Sequence, residues 1–213
     1  MARIYVLAGV NGAGKSTIGG AAFRASGADY FNPDEAARKL IAANSALTQA
    51  DANARAWQLG KHLLERATAE GLDFAFETTL GANTMPRLLR GAAQKGIEVY
   101  VWYAGLSSPE LHIARVKSRV EKGGHDIPEA DIRRRYKHSR LNLIHLLPHL
   151  AALRVYDNSA DADPAAGRAP EPVLVLQMER RRILNHEDLP KAADGGRAIF
   201  AAALRVGWGW VAA

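Results

Sequence analysis

The stretch "GVNGAGKST" (residues 9–17) follows the apolar, β-rich run "RIYVLA" (residues 3–8) and precedes a segment of helical character. It matches the spacing G-x-x-x-x-G-K-[ST], whose fixed positions are Gly9, Gly14, Lys15 and Ser16. Between a strand and a helix, this spacing is typical of a P-loop, in which glycines let backbone N–H groups turn inward around phosphates. The sequence therefore predicts a nucleotide phosphate site here.

The predicted ligands of this loop are ATP and Mg²⁺. We expect Lys15 to reach the β- and γ-phosphates and the hydroxyl of Ser16 to bind Mg²⁺, because P-loops use these two positions in that way. The remaining predicted phosphate-site residues are Gly9, Asn11, Gly12, Ala13, Gly14 and Thr17. A P-loop identifies the nucleotide but not the reaction, since motors, switches, transporters and kinases share it.

The composition excludes several classes of chemistry. The 213 residues are 48% hydrophobic and 23% charged, which suits a single globular core, and they include no cysteine. Disulfides, thiolate catalysis and sulfur-ligated metals are thereby excluded. The N-terminal apolar run is too short for a signal sequence, and no stretch reaches the roughly 20 apolar residues of a membrane span. We therefore expect a cytoplasmic protein that does not enter the membrane.

The chain carries an excess of positive charge. Its net charge is +6 and its pI is near 9.7, which indicates an anionic partner. These values alone leave open whether that partner is a nucleic acid, a nucleotide or an acidic metabolite.

Apolar β-rich runs alternate with amphipathic segments along the chain. The later predicted strands cover residues 72–80, 97–106, 153–158 and 171–177. Such alternation favours a parallel sheet with helices on both faces. Together with the glycine loop, it predicts an α/β fold of the P-loop NTPase class, nucleotide kinase-like, with a helical lid. We expect one domain over residues 1–177, with the lid at about 115–140, and a C-terminal extension over 178–213 whose role is open.

A carboxylate stands just beyond a short second predicted strand, "ADYF" (residues 28–31), at Asp34 in "NPDEAA". The carboxyl ends of strands beside the P-loop strand face the ligand crevice. Asp34 would there accept the proton of an acceptor hydroxyl or hold Mg²⁺ through water. The alternative is that Asp34 and Glu35 only favour the first turn of their helix electrostatically.

A second carboxylate ends an otherwise apolar strand, at Glu77 in "FETTL". With Thr78 and Thr79 it offers one carboxylate and two hydroxyls to a polar substrate. The alternative is a strand-end residue exposed to solvent.

The stretch "RVEKGGHDIPEADIRRRY" (residues 119–136) concentrates basic side chains around a glycine pair. Arg115 and Arg119 are four residues apart and share one helix face. The glycines and Pro128 predict a turn, after which residues 133–135 begin a returning helix. Both arginine sets would then point at the γ-phosphate, whose charge spreads during transfer. The alternative is a solvated, charged helix, and the pattern leaves open which of the three arginines at 133–135 faces the phosphate.

Several of these motifs occur together in one order: "VLAGVNGAGKST", "NPDEAA", "FETTL", "GGHDIPE" and "IRRRY". In this order the chain resembles the zeta toxin family of P-loop kinases over residues 3–158, most closely its bacterial branch described as predicted ATPases. Known members phosphorylate a sugar hydroxyl of UDP-N-acetylglucosamine. The resemblance implies that Lys15 is the phosphate lysine, Asp34 the general base and Glu77 a substrate-binding carboxylate.

The resemblance also implies a pair of lid arginines. Arg119 with Arg133 or Arg134 comes closest to the family's pair, and Arg115 is a further candidate. The expected catalytic residues are thus Lys15, Asp34, Arg119 and Arg134, with Arg115 and Arg133 binding the cofactor.

The leading functional hypothesis is an ATP-dependent kinase that phosphorylates an alcohol group of a small molecule. The resemblance implies a nucleotide sugar as acceptor and an antitoxin protein as partner. The alternative is a nucleic-acid-associated or regulatory P-loop ATPase without such an acceptor, suggested by the pI and by a second arginine run, "ERRRILNHEDLP" (residues 179–190). RNA-binding proteins usually interleave aromatic residues with basic ones, and the lid offers only Tyr136.

Overall fold

The computed structural model describes residues 1–20, 30–160, 171–185, 194–205 and 209–210. These residues contain one eight-stranded sheet. Its strands are β1 (Arg3–Ala8), β2 (Tyr30–Phe31), β3 (Phe74–Thr78), β4 (Glu98–Gly105), β5 (Ala152–Asp157), β6 (Val173–Glu179), β7 (Arg182–Asn185) and β8 (Gly209–Trp210). Their order across the sheet is β2-β3-β1-β4-β5-β6-β7-β8.

The predicted parallel pairing holds for β1 to β5 and not for the next two strands. β6 runs antiparallel to β5, and β7 runs antiparallel to β6. The second of these pairings has a local reason, because Arg180 and Arg181 join β6 to β7 with left-handed φ values of 46° and 63°. Two successive positive φ values suit a tight two-residue hairpin. The α/β fold with a mostly parallel sheet is confirmed, and the described start of the second arginine run forms this hairpin turn.

Six α-helices lie in the described part of the chain. They are α1 (Pro33–Ala43), α2 (Gln49–Glu70), α3 (Thr84–Gln94), α4 (Pro109–Glu121), α5 (Glu129–Leu146) and α6 (Asp194–Arg205). None of these helices has the length and apolar composition that crossing a membrane would need. The helix predicted after the glycine loop begins with a π-helical turn, Ser16–Gly20, and its continuation over 21–26 lies outside the described residues.

The main core lies between one face of the sheet and helices α2, α3, α5 and α6. Strand residues two apart point to the same face, and the alternate apolar residues of β1, β3, β4 and β5 are buried here, among them Ile4, Val6, Phe74, Phe76, Val99, Val101, Leu153 and Val155. Each helix buries one stripe against them, for example Leu64, Leu89, Leu143 and Ile199. This packing holds in place the strand ends that carry the site.

The segment after residue 177 contributes to the same core. The proposed boundary falls within β6, and Ile183 of β7 and Ala203 of α6 are buried in the main core. The division into a domain and an extension stays a prediction.

The direction of chain progression changes at β1. β3 and β2 lie on one side of it, and β4 and the later strands lie on the other. At such a switch point, the loops that leave the carboxyl ends of the strands separate and open a crevice. The P-loop follows β1, Glu77 lies near the end of β3, and α4 follows β4, all at this edge of the sheet.

Candidate active site

The P-loop is shaped by close contact with its neighbouring strands. Gly9 has φ 142° and donates its N–H to the carbonyl of Thr78 at 3.1 Å. A Cβ at this glycine would stand 2.4 Å from the carbonyl oxygen of Ala104, so no side chain fits. The ammonium of Lys15 donates to the carbonyl of Gly9 at 3.1 Å, which holds it over the loop. Ser16 is exposed at the first position of the π-helical turn, and the side chain of Thr17 lies outside the described residues.

Asp34 lies in the first turn of α1, but another residue caps that helix. The Asn32 Oδ1 accepts from the N–H groups of Asp34 at 2.8 Å and of Glu35 at 3.2 Å, and Pro33 occupies the first turn. The carboxylate of Asp34 is thus left to face the crevice. Its Oδ2 lies 3.9 Å from Arg119 Nη1, across from the lid.

Glu77 is buried rather than exposed at its strand end, with 8% of its surface accessible. Its Oε1 accepts from the hydroxyl of Tyr30 and, at 3.1 Å, from Asn32 Nδ2. Burial of a carboxylate is costly unless donors compensate for its lost hydration, and these two residues supply them. Both bonds go to Oε1, which leaves Oε2 for a ligand. Sequence reasoning missed Tyr30 and Asn32, because β2 comes beside β3 only in the folded sheet.

The two threonines after Glu77 stabilise the turn that follows β3. Thr78 Oγ1 accepts from the N–H of Leu80 at 3.1 Å, and Thr79 Oγ1 accepts from the N–H of Gly81 at 3.2 Å. Leu80 has a left-handed φ of 51°, so these bonds support a strained position. Both hydroxyls retain a hydrogen to donate.

Arg119 is held at the end of α4 by the glycine pair. Its Nη2 donates to the carbonyl of His125 at 3.1 Å. A Cβ at Gly124 would stand 2.8 Å from Arg119 Cγ, so the second glycine makes room for this side chain. The buried Arg119 Nε has no hydrogen-bond partner among the described residues. Arg115, one turn earlier, donates to the carbonyl of Ala160 at 3.1 Å.

The three consecutive arginines at the start of α5 have different partners. Arg133 pairs with Glu110 at 2.7 Å, and the structure does not bring it to the P-loop. Arg134 pairs with Asp131 at 2.9 Å. Arg135 instead reaches the P-loop, where its Nη1 donates to Asn11 Oδ1 at 2.8 Å. Of the three arginines among which the sequence left the choice open, Arg135 is therefore the one with a hydrogen bond to the P-loop.

Two further buried residues brace the P-loop, and sequence reasoning missed the first of them, His112. His112 of α4 is 1% exposed, and its Nδ1 lies 2.8 Å from the carbonyl oxygen of Asn11. Burial, followed by the nearby positive charges of Lys15, Arg140 and Arg115, lowers the His112 pKa to about 4, so the neutral ring donates this bond. Asn158, at the end of β5, donates from Nδ2 to the carbonyl of Ala13 at 2.9 Å.

Two cavities meet at the carboxylates. We call the first the P-loop cleft; it measures about 700 Å³, and its lining includes Lys15, Ser16, Asp34, Glu77, Arg115 and Arg119. The second, the β3 pocket, measures about 370 Å³, and its lining includes Phe31, Asp34, Trp57, Glu77, Thr78, Thr79 and Arg134. Both cavities include Asn11, Asp34, Glu77 and His125 in their linings. A phosphate on the loop and a ligand in the β3 pocket would meet at these residues.

Solved structures of low sequence identity share this fold. A chain of the AvrRxo1-ORF1:AvrRxo1-ORF2 complex with sulphate ions matches with a TM-score of 0.67 and 15% identity over 90% of this chain. This chain spans 63% of the length of that one. A chain of the same complex solved with ATP matches this chain with a TM-score of 0.66. A chain of the PezAT chromosomal toxin–antitoxin system of Streptococcus pneumoniae matches with a TM-score of 0.58 and 14% identity, over 97% of this chain and 86% of that one.

Sequence comparisons identify relatives directly. An uncharacterized protein of Haemophilus influenzae is 32% identical over 129 residues, which cover 60% of this chain and 88% of the relative. Residues 4–140 match the family model described as the AAA domain, and this range includes the P-loop, both carboxylates and the lid. The chain therefore belongs to this AAA domain family of P-loop proteins.

Proposed function

We propose that the protein is an ATP-dependent kinase that transfers the γ-phosphate of ATP to an alcohol group of a small molecule. The observation that carries this proposal is the meeting of the P-loop cleft and the β3 pocket at Asp34 and Glu77. A regulatory switch would need the first cavity alone, whereas a transferase needs a second one that opens on the same phosphate.

In this proposal the P-loop holds the nucleotide. Backbone N–H groups of residues 9–17 surround the β-phosphate, and Lys15 neutralises the β- and γ-phosphates. Mg²⁺ would be held by the Ser16 hydroxyl and the phosphates, with Asp34 near enough to act through water. Such a mixed set suits Mg²⁺, which usually keeps several waters and combines one or two protein ligands with substrate phosphates.

The lid arginines would stabilise the charge that moves during transfer. Arg119 and Arg115 line the P-loop cleft, where their guanidinium groups would face the transferred phosphate. Arg134 approaches from the β3 pocket, and Arg135 enters the site through Asn11. We exclude Arg133 from this set because it lines neither of the two cavities and pairs with Glu110.

The chemical step is an in-line displacement. The acceptor hydroxyl in the β3 pocket forms a bond to the γ-phosphorus while the bond from that phosphorus to the β–γ bridging oxygen breaks, and ADP leaves. Asp34 accepts the hydroxyl proton and later releases it to solvent. Glu77 Oε2 orients the acceptor by accepting from a second hydroxyl or N–H group.

We propose a nucleotide sugar of the UDP-N-acetylglucosamine type as the acceptor and an antitoxin protein as a partner. Both rest on the resemblance to zeta toxins, and the fold likeness to the PezAT chain is compatible with them. The β3 pocket lends support, because Trp57 and Phe31 offer apolar surface beside Glu77 and Asp34. A ligand that combines flat ring faces with hydroxyl groups suits such a lining.

The decisive experiment measures ADP release from MgATP alone and with a panel of sugars, sugar phosphates and nucleotide sugars, followed by ³¹P NMR of the products. The proposal expects one acceptor class to raise turnover and to yield a new phosphomonoester. Release of inorganic phosphate at the same rate with every acceptor, together with stimulation by RNA, would establish the ATPase alternative instead.

A further inference from the structure

A third cavity, of about 860 Å³, opens between α3 and α5. We call it the basic cleft, after the five side chains Arg87, Arg90, Arg134, His138 and His145 in its lining. Among the described residues that line it there is no aspartate or glutamate. The function proposed above uses Arg134 but none of the other four.

The helical spacing gathers these side chains. Arg87 and Arg90 are three residues apart on α3, and Arg134 and His138 are four apart on α5, so each pair shares a helix face. Between the helices, the buried Asn142 donates from Nδ2 to the carbonyls of Leu80, at 2.7 Å, and of Ala82, at 3.3 Å. The loop after β3 is thereby fixed as one wall of the cleft.

The positive charge of the cleft is largely unneutralised. Arg134 pairs with Asp131, whereas neither Arg87 nor Arg90 has a carboxylate within ion-pairing distance in the described part of the chain. Both are exposed. Clustered guanidinium groups repel one another unless an anion lies among them, and their planar fork matches phosphate oxygens.

The basic cleft continues into the β3 pocket. Gly81, Ala82, Thr84 and Arg134 line both cavities. An acceptor with its reacting hydroxyl at Asp34 would therefore reach the cleft by passing over the loop at residues 81–84. The lining has no Phe, Tyr or Trp among the described residues, so it lacks the stacking surface that single-stranded nucleic acid requires.

We propose that the basic cleft binds a phosphate group carried by the acceptor, with Arg87 and Arg90 as its main ligands. This inference rests on the proposed kinase function and adds a site for a part of the acceptor remote from the reacting hydroxyl. The preferred acceptors are then phosphate esters or diphosphates rather than neutral alcohols.

Binding is tested with inorganic phosphate on protein whose P-loop is already filled with a non-hydrolysable ATP analogue and Mg²⁺. The ring protons of His138 and His145, assigned with His138→Gln and His145→Gln, report on this cleft. We expect phosphate to shift both signals in a saturable way, and chloride at the same ionic strength to leave them in place. Equal shifts with chloride would overturn the site.

The ligands are tested with the Arg87→Ala/Arg90→Ala double variant. We expect its phosphate affinity to fall about tenfold or more, because two charge-assisted contacts are lost. Arg66→Ala is the matched control, since Arg66 is an exposed helical arginine that pairs with Glu70 on α2. Unchanged affinity in the double variant would overturn the assignment. A short RNA that shifts the same signals at much lower concentration than phosphate would replace it with a nucleic-acid surface.

Kinetics separates this inference from the kinase proposal. Acceptors are supplied in pairs, each alcohol with its own phosphate ester. We expect the esters to have the higher kcat/KM, and the double variant to lose that preference while it phosphorylates the neutral alcohols as before. Equal use of both members of each pair would refute the inference and leave the kinase intact. If no acceptor of either kind is phosphorylated, the kinase proposal fails, and the inference fails with it because it rests on that proposal. The phosphate titration then decides only whether the basic cleft binds anions.

Discussion

Arg135 of α5 donates a 2.8 Å hydrogen bond to Asn11 of the P-loop. The backbone carbonyl of the same asparagine lies 2.8 Å from His112 Nδ1 on α4. Helices α5 and α4 thus contact one loop residue, the first through its side chain and the second through its backbone. Gly81 makes the contact possible, because a Cβ there would stand 2.6 Å from Arg135 Cγ. A displacement of either helix is therefore expected to displace the P-loop as well.

Arg135→Ala should lower kcat about 10- to 100-fold, the range expected when a group that positions reacting atoms is lost. ATP affinity should change less, because Lys15 and the loop backbone remain. Arg135→Lys should recover little, since a single ammonium cannot copy the guanidinium contacts to Asn11 and Asp131. Steady-state kinetics with nucleotide titration measures both quantities.

The neighbouring Arg133→Ala is the control for that change. Arg133 pairs with Glu110 on α4 instead of approaching the loop, and both partners are exposed. Exposed pairs contribute roughly 0–1 kcal/mol, so turnover should stay near that of the unaltered protein. If Arg133→Ala proves the more damaging of the two, the sequence expectation for Arg133 is right and the observed geometry is not that of the active state.

Lys15→Ala should abolish the thermal stabilisation that MgATP gives the protein. The lysine neutralises the β- and γ-phosphates, and a ligand stabilises a fold only in proportion to its binding. Thermal melts with and without MgATP measure the effect. Lys61→Ala is the control, because Lys61 pairs with Glu65 on the surface of α2. Full retention of the ATP-dependent shift in Lys15→Ala would remove the basis for a nucleotide site.

The features that could be predicted from the sequence are those that a local pattern of residues determines. The spacing from Gly9 to Ser16 fixes a loop conformation, and the carboxylates at Asp34 and Glu77 follow apolar runs whose strand ends meet at one sheet edge. Ser16, Asp34 and Glu77 line the P-loop cleft, and Gly9 shapes the loop beside it. The choice among consecutive arginines depends instead on the rotation of α5 about its axis. The signal for that rotation is the buried stripe of Ile132, Ser139 and Leu143, whose helical spacing places Arg135 on the inner side.

The partners of Glu77 illustrate a second limit. Tyr30 belongs to β2, and Asn32 is the residue that joins β2 to α1. Both meet Glu77 across 45 or more positions of sequence. Such contacts follow from strand order, which the sequence predicts only as a class. The antiparallel turn at Arg180 and Arg181 was hidden for another reason, since arginine is not a residue typical of positive φ.

Protein stability should depend on pH through His112. Its pKa in the folded protein is about 4, below the ordinary value of 6.5. Between these two values the unfolded chain binds a proton and the folded one does not, so stability present above pH 6.5 is lost as the pH falls, by up to about 3 kcal/mol. Melting temperatures from pH 7.5 down to pH 4.5 measure the slope. His112→Gln should flatten this pH dependence, whereas His62→Gln, at an exposed site on α2, should leave it as it is. An unchanged slope in His112→Gln would assign the dependence to other groups.

Asp34→Asn separates chemistry from binding at one position. The amide keeps the size of the carboxylate but cannot take a proton, so transfer to the acceptor should fall by roughly 10²–10⁴ while ATP still binds. Stability should change little, because Asn32 and not Asp34 caps α1. Glu35→Gln is the matched control, since Glu35 lies in the same helical turn and also lines the P-loop cleft. Equal losses of activity in the two variants would indicate a general electrostatic effect of the helix start. If excess Mg²⁺ restores the activity of Asp34→Asn, Asp34 has a metal-binding role instead of the general-base role that we expect.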